Sequence, residues 1–142
     1  MMKRSLLFDA SSIFALVREL RGKALDALLE SSTISLARYE LGNALWRECF
    51  LLKRINQAEA EKLLRTMFAI LHAMDVKELE DEAEGSTVLN EACKLNVTYY
   101  DAAYISEARK SSKVLVTDDG KLAKVAEKMG LKILTSGTLS RE

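Results

Sequence analysis

The stretch VLVTDDGKLAKVA, residues 114–126, sets the fold class of this chain. Val114, Leu115 and Val116 form a short apolar run without polar alternation, which is typical of a strand covered on both faces. Gly120 is expected to permit the turn that follows, and the next residues carry apolar side chains at helical spacing. A buried strand that leads into a helix predicts a parallel sheet with helices packed on its faces.

The rest of the chain repeats this alternation of short strands and longer helices. Further strands are predicted at RSLLFD, STISLA, MDVKEL and KIL. Helices are predicted over about residues 10–30 with a break near Gly22, and over about 37–53, 57–74, 81–95, 99–111 and 121–129. Asn56 and Glu59 form a capping-box pattern at the start of the third of these, and Gly130 is expected to end the last. Right-handed crossovers between such strands give a three-layer α/β/α sandwich with a mostly parallel, about five-stranded sheet. We expect residues 1–142 to form one domain, because the length suits a single core and no linker divides the chain.

Composition narrows the possible functions and cellular locations of the protein. Lys and Arg number 21 and Asp and Glu number 21, so no global charge excess favours nucleic acid or membrane as a partner. No apolar run reaches the length of a bilayer span and no signal peptide pattern begins the chain, so we expect a cytoplasmic protein. Cys49 and Cys93 lie in amphipathic helical patterns and are expected to be core residues, with a disulfide between them as the alternative. His72 is expected to be structural rather than catalytic.

Acidic residues recur where predicted strands end and where predicted helices begin. Asp9 ends the first strand, and Asp118 and Asp119 follow the fourth. Glu40 and Asp101 lie in the first turns of two helices. Because the carboxyl ends of parallel strands and the N-termini of the following helices meet at one edge of a sheet, we expect these side chains to face one crevice.

Each of these acids also has a purely structural interpretation. Asp101 could close a capping box with Thr98, Glu40 could interact with the helix macrodipole, and TDDGK could be an ordinary turn. Together they need a counter-charge, since like charges about 4 Å apart repel by roughly 4 kcal/mol at an effective dielectric of 20. Oxygen ligands of this kind suit Mg²⁺ or Mn²⁺. The predicted chemistry is metal-assisted attack of water on a phosphodiester.

Four segments in this order, LLFDASSIFAL, ARYELGNAL, TYYDAAYISEA and LVTDDGKLAKVA, resemble the PIN domain, and especially the VapC-type ribonuclease toxins of toxin–antitoxin pairs. The resemblance spans nearly the whole chain and is least diagnostic over about residues 55–79. It implies an endoribonuclease that uses Mg²⁺ or Mn²⁺, acts on RNA and forms a homodimer. It also implies an antitoxin protein whose C-terminal segment covers the acidic groove.

The resemblance also assigns roles to individual residues. The family's catalytic and metal-binding acids are matched here by Asp9, Glu40, Asp101 and Asp119. Its supporting polar positions are matched by Ser11, Asn43 and Thr117. Asn43 shares a helix face with Glu40 through their i, i+3 spacing. Asp118 is then an auxiliary outer acid or a turn residue, and Lys121 beside the predicted metal edge is the candidate RNA contact.

Other functions remain open at this point. A phosphatase of the haloacid dehalogenase type also ends its first strand in Asp but expects a second Asp two residues later, where this chain has Ser11. A receiver-type phospho-acceptor domain expects its paired acids after the first strand rather than the fourth. A PIN-like module that binds RNA or protein without turnover, or an RNA-processing nuclease without an antitoxin, would share every motif above.

Overall fold

The structure is a computed structural model that describes residues 5–19 and 22–140. Its strands are β1 (Leu6–Phe8), β2 (Ser32–Ile34), β3 (Asp75–Lys77), β4 (Val114–Val116) and β5 (Ile133–Leu134). Its helices are α1 (Ala10–Glu19), α2 (Gly22–Leu29), α3 (Ala37–Trp46), α4 (Gln57–Ala73), α5 (Glu82–Leu95), α6 (Tyr99–Lys110), α7 (Gly120–Lys128) and α8 (Ser136–Ser140). A π-helical turn, Arg47–Leu51, extends α3.

Within the described residues, the five strands form one sheet in the order β3-β2-β1-β4-β5, and every pairing is parallel. Leu7 of β1 aligns with Ser32 of β2 on one side and with Leu115 of β4 on the other. The chain builds outward from β1 to β3 and then returns past β1 to add β4 and β5. β1 and β4 therefore flank the point where the strand order reverses, which is where open α/β sheets bind ligands.

β1, at the centre of the sheet, and its neighbour β4 are covered on both faces, as their unbroken apolar runs predict. Leu6 and Phe8 of β1 and Val116 of β4 join a cluster that α1 to α4 cover. Leu7 and Leu115 point the other way, into a cluster that α6 and α7 cover. Helices thus lie on both faces of the sheet, and the predicted three-layer α/β/α fold is confirmed.

Helix ends follow the predicted signals with one exception. The side chain of Asn56 accepts a hydrogen bond from the Glu59 N–H at 2.8 Å, and the Glu59 carboxylate accepts one from the Asn56 N–H at 3.2 Å, so the predicted capping box begins α4. Gly130 takes a φ of 84° just after α7, as expected of a glycine that ends a helix. The interpretation of Gly120 as a turn glycine was wrong, because it is the first residue of α7 and does not adopt a positive φ.

The prediction that Cys49 and Cys93 lie in the core was wrong. Cys93 and His72 are exposed and Cys49 is only partly buried, and both thiols are free, so the alternative disulfide does not form. Cys93 is exposed because α5 buries only a narrow stripe against α6, through Val88 and Ala92. Across the described part of the chain, the helices are too short or too polar to cross a membrane.

Candidate functional site

Each of the four main acids lies at the N-terminus of a helix that begins at the carboxyl edge of the sheet. Asp9 precedes α1 and accepts a hydrogen bond from the Ser12 N–H at 2.9 Å. Asp119 caps α7 through hydrogen bonds from two backbone N–H groups. Glu40 and Asp101 lie in the first turns of α3 and α6. The positive ends of four helix dipoles therefore point at this acidic edge and offset part of its charge.

Asp9 is the buried centre of the edge, with only 4% of its surface exposed. Its carboxylate accepts hydrogen bonds from the Ser11 hydroxyl at 2.8 Å, from the Ser12 N–H and hydroxyl at 2.9 and 3.0 Å, and from the Thr117 hydroxyl. Burial raises the pKa of Asp9, while the hydrogen bonds from Thr117, Ser12 and Ser11 lower it in part. The structure thus brings together Asp9 and the predicted supporting residues Ser11 and Thr117.

Thr117 links the carboxyl ends of β1 and β4. Its hydroxyl donates to Asp9 and accepts the backbone N–H of Asp119 at 3.0 Å. Because Thr117 is buried beside both acids, it fixes the path of the chain between β4 and α7. Thr117, predicted as a supporting residue, therefore makes hydrogen bonds to the side chain of Asp9 and to the backbone of Asp119.

Glu40 is held at the edge by Tyr104, which is not among the site residues predicted from the sequence. The Tyr104 hydroxyl donates to Oε1 of Glu40 at 2.7 Å. Burial raises the pKa of Glu40, the Tyr104 hydrogen bond lowers it, and the charges of Asp9, Asp101 and Asp119 raise it further. Tyr104 follows Asp101 by three residues on α6. The i, i+3 spacing that relates Asn43 to Glu40 therefore also places Tyr104 on the face of α6 that carries Asp101.

Asp101 does not complete the capping box that was its structural alternative. Its N–H donates to the Thr98 hydroxyl at 3.1 Å, but among the described residues its carboxylate accepts no hydrogen bond from the Thr98 N–H. Burial raises the pKa of Asp101, and the charges of Asp119 and Asp9 raise it further, whereas Lys121 lowers it. Asp101 therefore faces the other acids, and Lys121 lies close enough to act on its charge.

Two predicted supporting residues point elsewhere. Asn43 is exposed, and within the described residues no hydrogen bond joins it to Glu40. The Asp118 carboxylate accepts from the N–H of Ser136 at 2.8 Å and from its hydroxyl, so it fastens the start of α8. The Asp118 N–H donates to the Ser11 hydroxyl at 3.0 Å. Asp118 thus contributes its backbone to the edge and its side chain to the C-terminal helix.

The carboxylates at this edge suit a divalent cation that keeps several bound waters better than one enclosed entirely by protein ligands. Over residues 5–19 and 22–140, no three Asp, Glu, His or Cys side chains are arranged to hold one ion together. Mutual repulsion nevertheless raises the pKa values of Glu40 and Asp101 beyond the effect of burial. Mg²⁺ keeps several waters and uses one or two carboxylates directly, which suits a spread of oxygen donors of this kind.

Comparison with known proteins identifies the family. The chain is 33% identical to Exonuclease VapC9 of Pyrobaculum aerophilum over 82% of this chain and 81% of that protein. It is 34% identical to Ribonuclease VapC3 of the same organism over 83% of this chain and 92% of that protein. No protein-family model matches the chain.

Solved structures give the same result at the level of the fold. PAE2754 from Pyrobaculum aerophilum aligns over 96% of this chain and 86% of its own, with 32% identity and a TM-score of 0.76. VapBC-1 from nontypeable Haemophilus influenzae shares the fold alone, at 14% identity and a TM-score of 0.62 over 93% and 98% of the two chains. On the strength of the two curated relatives, this chain belongs to the VapC family of PIN-domain proteins.

Proposed function

We propose that this chain is a metal-dependent endoribonuclease that hydrolyses RNA phosphodiester bonds as the toxin of a type II toxin–antitoxin pair. The observation that carries the proposal is that four acids meet at the carboxyl edge of the sheet, where the strand order reverses. These acids are Asp9, Glu40, Asp101 and Asp119. The names of the two relatives, one an exonuclease and one a ribonuclease, support nuclease chemistry. The raised pKa values of Glu40 and Asp101 support a cation among these acids, because a cation would relieve their mutual repulsion.

One or two of these four acids would bind Mg²⁺ or Mn²⁺ directly, and the others would act on it through water. The ion, when bound, would activate the attacking water and offset charge on the phosphate. The chain's own part is to keep each carboxylate in place: Ser11, Ser12 and Thr117 donate to Asp9, and two backbone N–H groups of α7 donate to Asp119. Preorganised groups of this kind accelerate reactions because little reorganisation is needed when charge develops.

RNA is proposed to reach the acids from the side of α7. Lys121 is exposed in the first turn of that helix, and its charge acts on Asp101. An ammonium beside the acidic edge can bind a backbone phosphate and lower the repulsion between RNA and the carboxylates. Because the chain has no net charge, such local contacts must supply the electrostatic attraction.

A homodimer and an antitoxin are the proposed protein partners. Toxin–antitoxin complexes occur among the structural neighbours, which supports the antitoxin. Exposed apolar side chains near the acids support a dimer: Tyr39 is 80% exposed beside Glu40, and Tyr100 is 59% exposed beside Asp101. Sedimentation measurements on the purified chain should give twice the monomer mass. The adjacent reading frame should encode a small protein with a DNA-binding N-terminus that suppresses cleavage.

The decisive experiment measures cleavage of a labelled RNA with Mg²⁺, with Mn²⁺ and with EDTA. We expect cleavage only with a metal ion, and none from Asp9→Asn or Asp101→Asn. Asp75→Asn is the matched control, because this exposed carboxylate begins β3 and so lies at the opposite edge of the sheet. Cleavage in EDTA, or by Asp9→Asn with metal, would contradict the proposal.

Two further arms separate related activities. A circular RNA has no ends, so its cleavage requires an endonuclease and distinguishes the proposed activity from the exonuclease named in one relative. RNA affinity without turnover in any metal would instead identify a binding module.

A further inference from the structure

Tyr104 links the two helices that carry Glu40 and Asp101. It lies on α6, three residues after Asp101, and its hydroxyl donates to Oε1 of Glu40 on α3 at 2.7 Å. The two partners are 64 residues apart in sequence, so the bond is a tertiary contact made only in the folded protein. A hydroxyl that donates to a carboxylate at this distance forms one of the stronger kinds of hydrogen bond in proteins.

Packing fixes the Tyr104 ring, so its hydroxyl has a defined position. The residue is 2% exposed and lies in the cluster between the sheet, α6 and α7, where Ile34 and Leu122 are also buried. A buried ring of this kind cannot follow a mobile partner. The partner must instead come to the hydroxyl, and this selects one position for the Glu40 carboxylate.

Glu40 needs such a tether because its surroundings favour a different position. Its carboxylate is repelled by Asp9, Asp101 and Asp119, and the neighbouring Tyr39 is exposed, so solvent lies close to it. A long side chain under repulsion gains rotamer entropy by turning toward water. Among the described residues, Tyr104 supplies the hydrogen bond that opposes this movement.

We infer that Tyr104 is a positioning residue of this nuclease site, which holds the Glu40 carboxylate at the acidic edge and sets its separation from Asp101. This inference rests on the proposed function. Tyr104 is too deeply buried to contact RNA, so its effect on the reaction passes through Glu40. Residues that orient a metal-binding group in this way alter metal affinity or activity by about 10- to 100-fold when they are replaced.

The test compares Tyr104→Phe with Tyr99→Phe as its matched control. Tyr99 lies on the same helix and donates its hydroxyl to the Gly85 carbonyl at 3.2 Å, so its replacement also removes one hydroxyl and one hydrogen bond. The purified proteins are compared by thermal unfolding in EDTA, by calorimetric Mn²⁺ titration without RNA, and by kcat and KM for RNA cleavage. The unfolding curves establish that both variants fold.

We expect Tyr104→Phe to weaken Mn²⁺ binding at least about 10-fold and to lower kcat by about 10- to 100-fold, with KM for RNA changed less than twofold. Tyr99→Phe should match the wild type. In a Glu40→Ala background, Tyr104→Phe should have no further effect on Mn²⁺ binding, since the two side chains act as one unit.

Three results would overturn the inference, and they have different meanings. If Tyr104→Phe behaves like Tyr99→Phe while the wild type binds Mn²⁺ and cleaves RNA, the tyrosine does not position the site. If Tyr104→Phe still weakens Mn²⁺ binding in the Glu40→Ala background, its effect does not pass through Glu40. If the wild type neither binds Mn²⁺ nor cleaves RNA, the proposed function itself fails and the inference fails with it.

Discussion

Asp9 combines a structural role with the proposed catalytic role, and two substitutions should separate them. Asp9→Ala removes the acceptor for the Ser12 N–H and for the hydroxyls of Ser11, Ser12 and Thr117. The helix cap is worth about 1 kcal/mol, and each further hydrogen bond contributes about 1 kcal/mol net. The hydroxyls keep other partners, and removal of a buried charge offsets part of the loss.

We therefore expect Asp9→Ala to lower the unfolding free energy by about 2 kcal/mol, and to lower Tm by about 6–8 °C for a chain of this size. Asp9→Asn should behave differently. Its amide oxygen can still accept from the Ser12 N–H, and Asn caps helices as well as Asp. The Thr117 hydroxyl can rotate to accept from the new amide group. The variant also avoids the burial of a charge, so its unfolding free energy in EDTA should lie within about 1 kcal/mol of the wild type.

Thermal unfolding by circular dichroism in EDTA, paired with RNA cleavage in Mn²⁺, measures both roles. Both variants should lose cleavage, whereas only Asp9→Ala should lose stability. Equal destabilisation of the two variants would refute the reasoning, because it would mean that the charge of Asp9 rather than its hydrogen-bonding geometry holds the edge together. Asp75→Asn, at the other end of the sheet, controls for the loss of one exposed carboxylate.

Three further predictions concern the acidic residues and the neighbouring side chain of Lys121. In EDTA the unfolding free energy should fall as the pH rises from about 4 through the raised pKa values of Glu40 and Asp101, because the folded state then holds protons more tightly than the unfolded state. Glu40→Gln should show a shallower fall in pH-dependent denaturant unfolding, and an unchanged slope would contradict the repulsion. Asp118→Ala should lower the unfolding free energy by about 1–2 kcal/mol through loss of its hydrogen bonds to Ser136, yet keep RNA cleavage within about twofold; loss of cleavage in a stable Asp118→Ala protein would place this carboxylate in the site. Lys121→Ala should raise KM for RNA and reduce the salt dependence of binding by about one phosphate contact, with kcat unchanged, and an unaltered salt dependence in filter-binding assays would remove Lys121 from the RNA path.

The parts of the fold that local chemistry dictates could be predicted from the sequence. Asn56 and Glu59 satisfy each other's backbone groups within four residues, so the start of α4 was evident. The unbroken apolar run of β4 predicted a strand covered on both faces, and β4 lies inside the sheet between β1 and β5. Cys93 was misplaced because an amphipathic pattern does not reveal how much of a helix its neighbours cover.

The residues of the site could likewise be predicted only in part. Asp9 and Asp119 could be predicted because strand ends and helix starts meet at one edge whatever the details of packing. The direction of a particular side chain could not, because it depends on what folds against it. Asp118 turns toward Ser136 only because α8 docks there, and Asn43 faces solvent although its spacing from Glu40 allows contact.

The same side chains thus support both the fold and the proposed chemistry, and this bears on whether the chain is a nuclease or a binding module. Asp9 and Asp119 cap α1 and α7 and would also hold the ion. Asn caps a helix as well as Asp does, without the burden of a buried or crowded charge. A module that only binds RNA or protein would therefore lose nothing in stability with Asn at positions 9 and 119. The presence of Asp at both positions, together with the repulsion that raises the pKa values of Glu40 and Asp101, is unfavourable for an inert fold and supports a function that needs the charge.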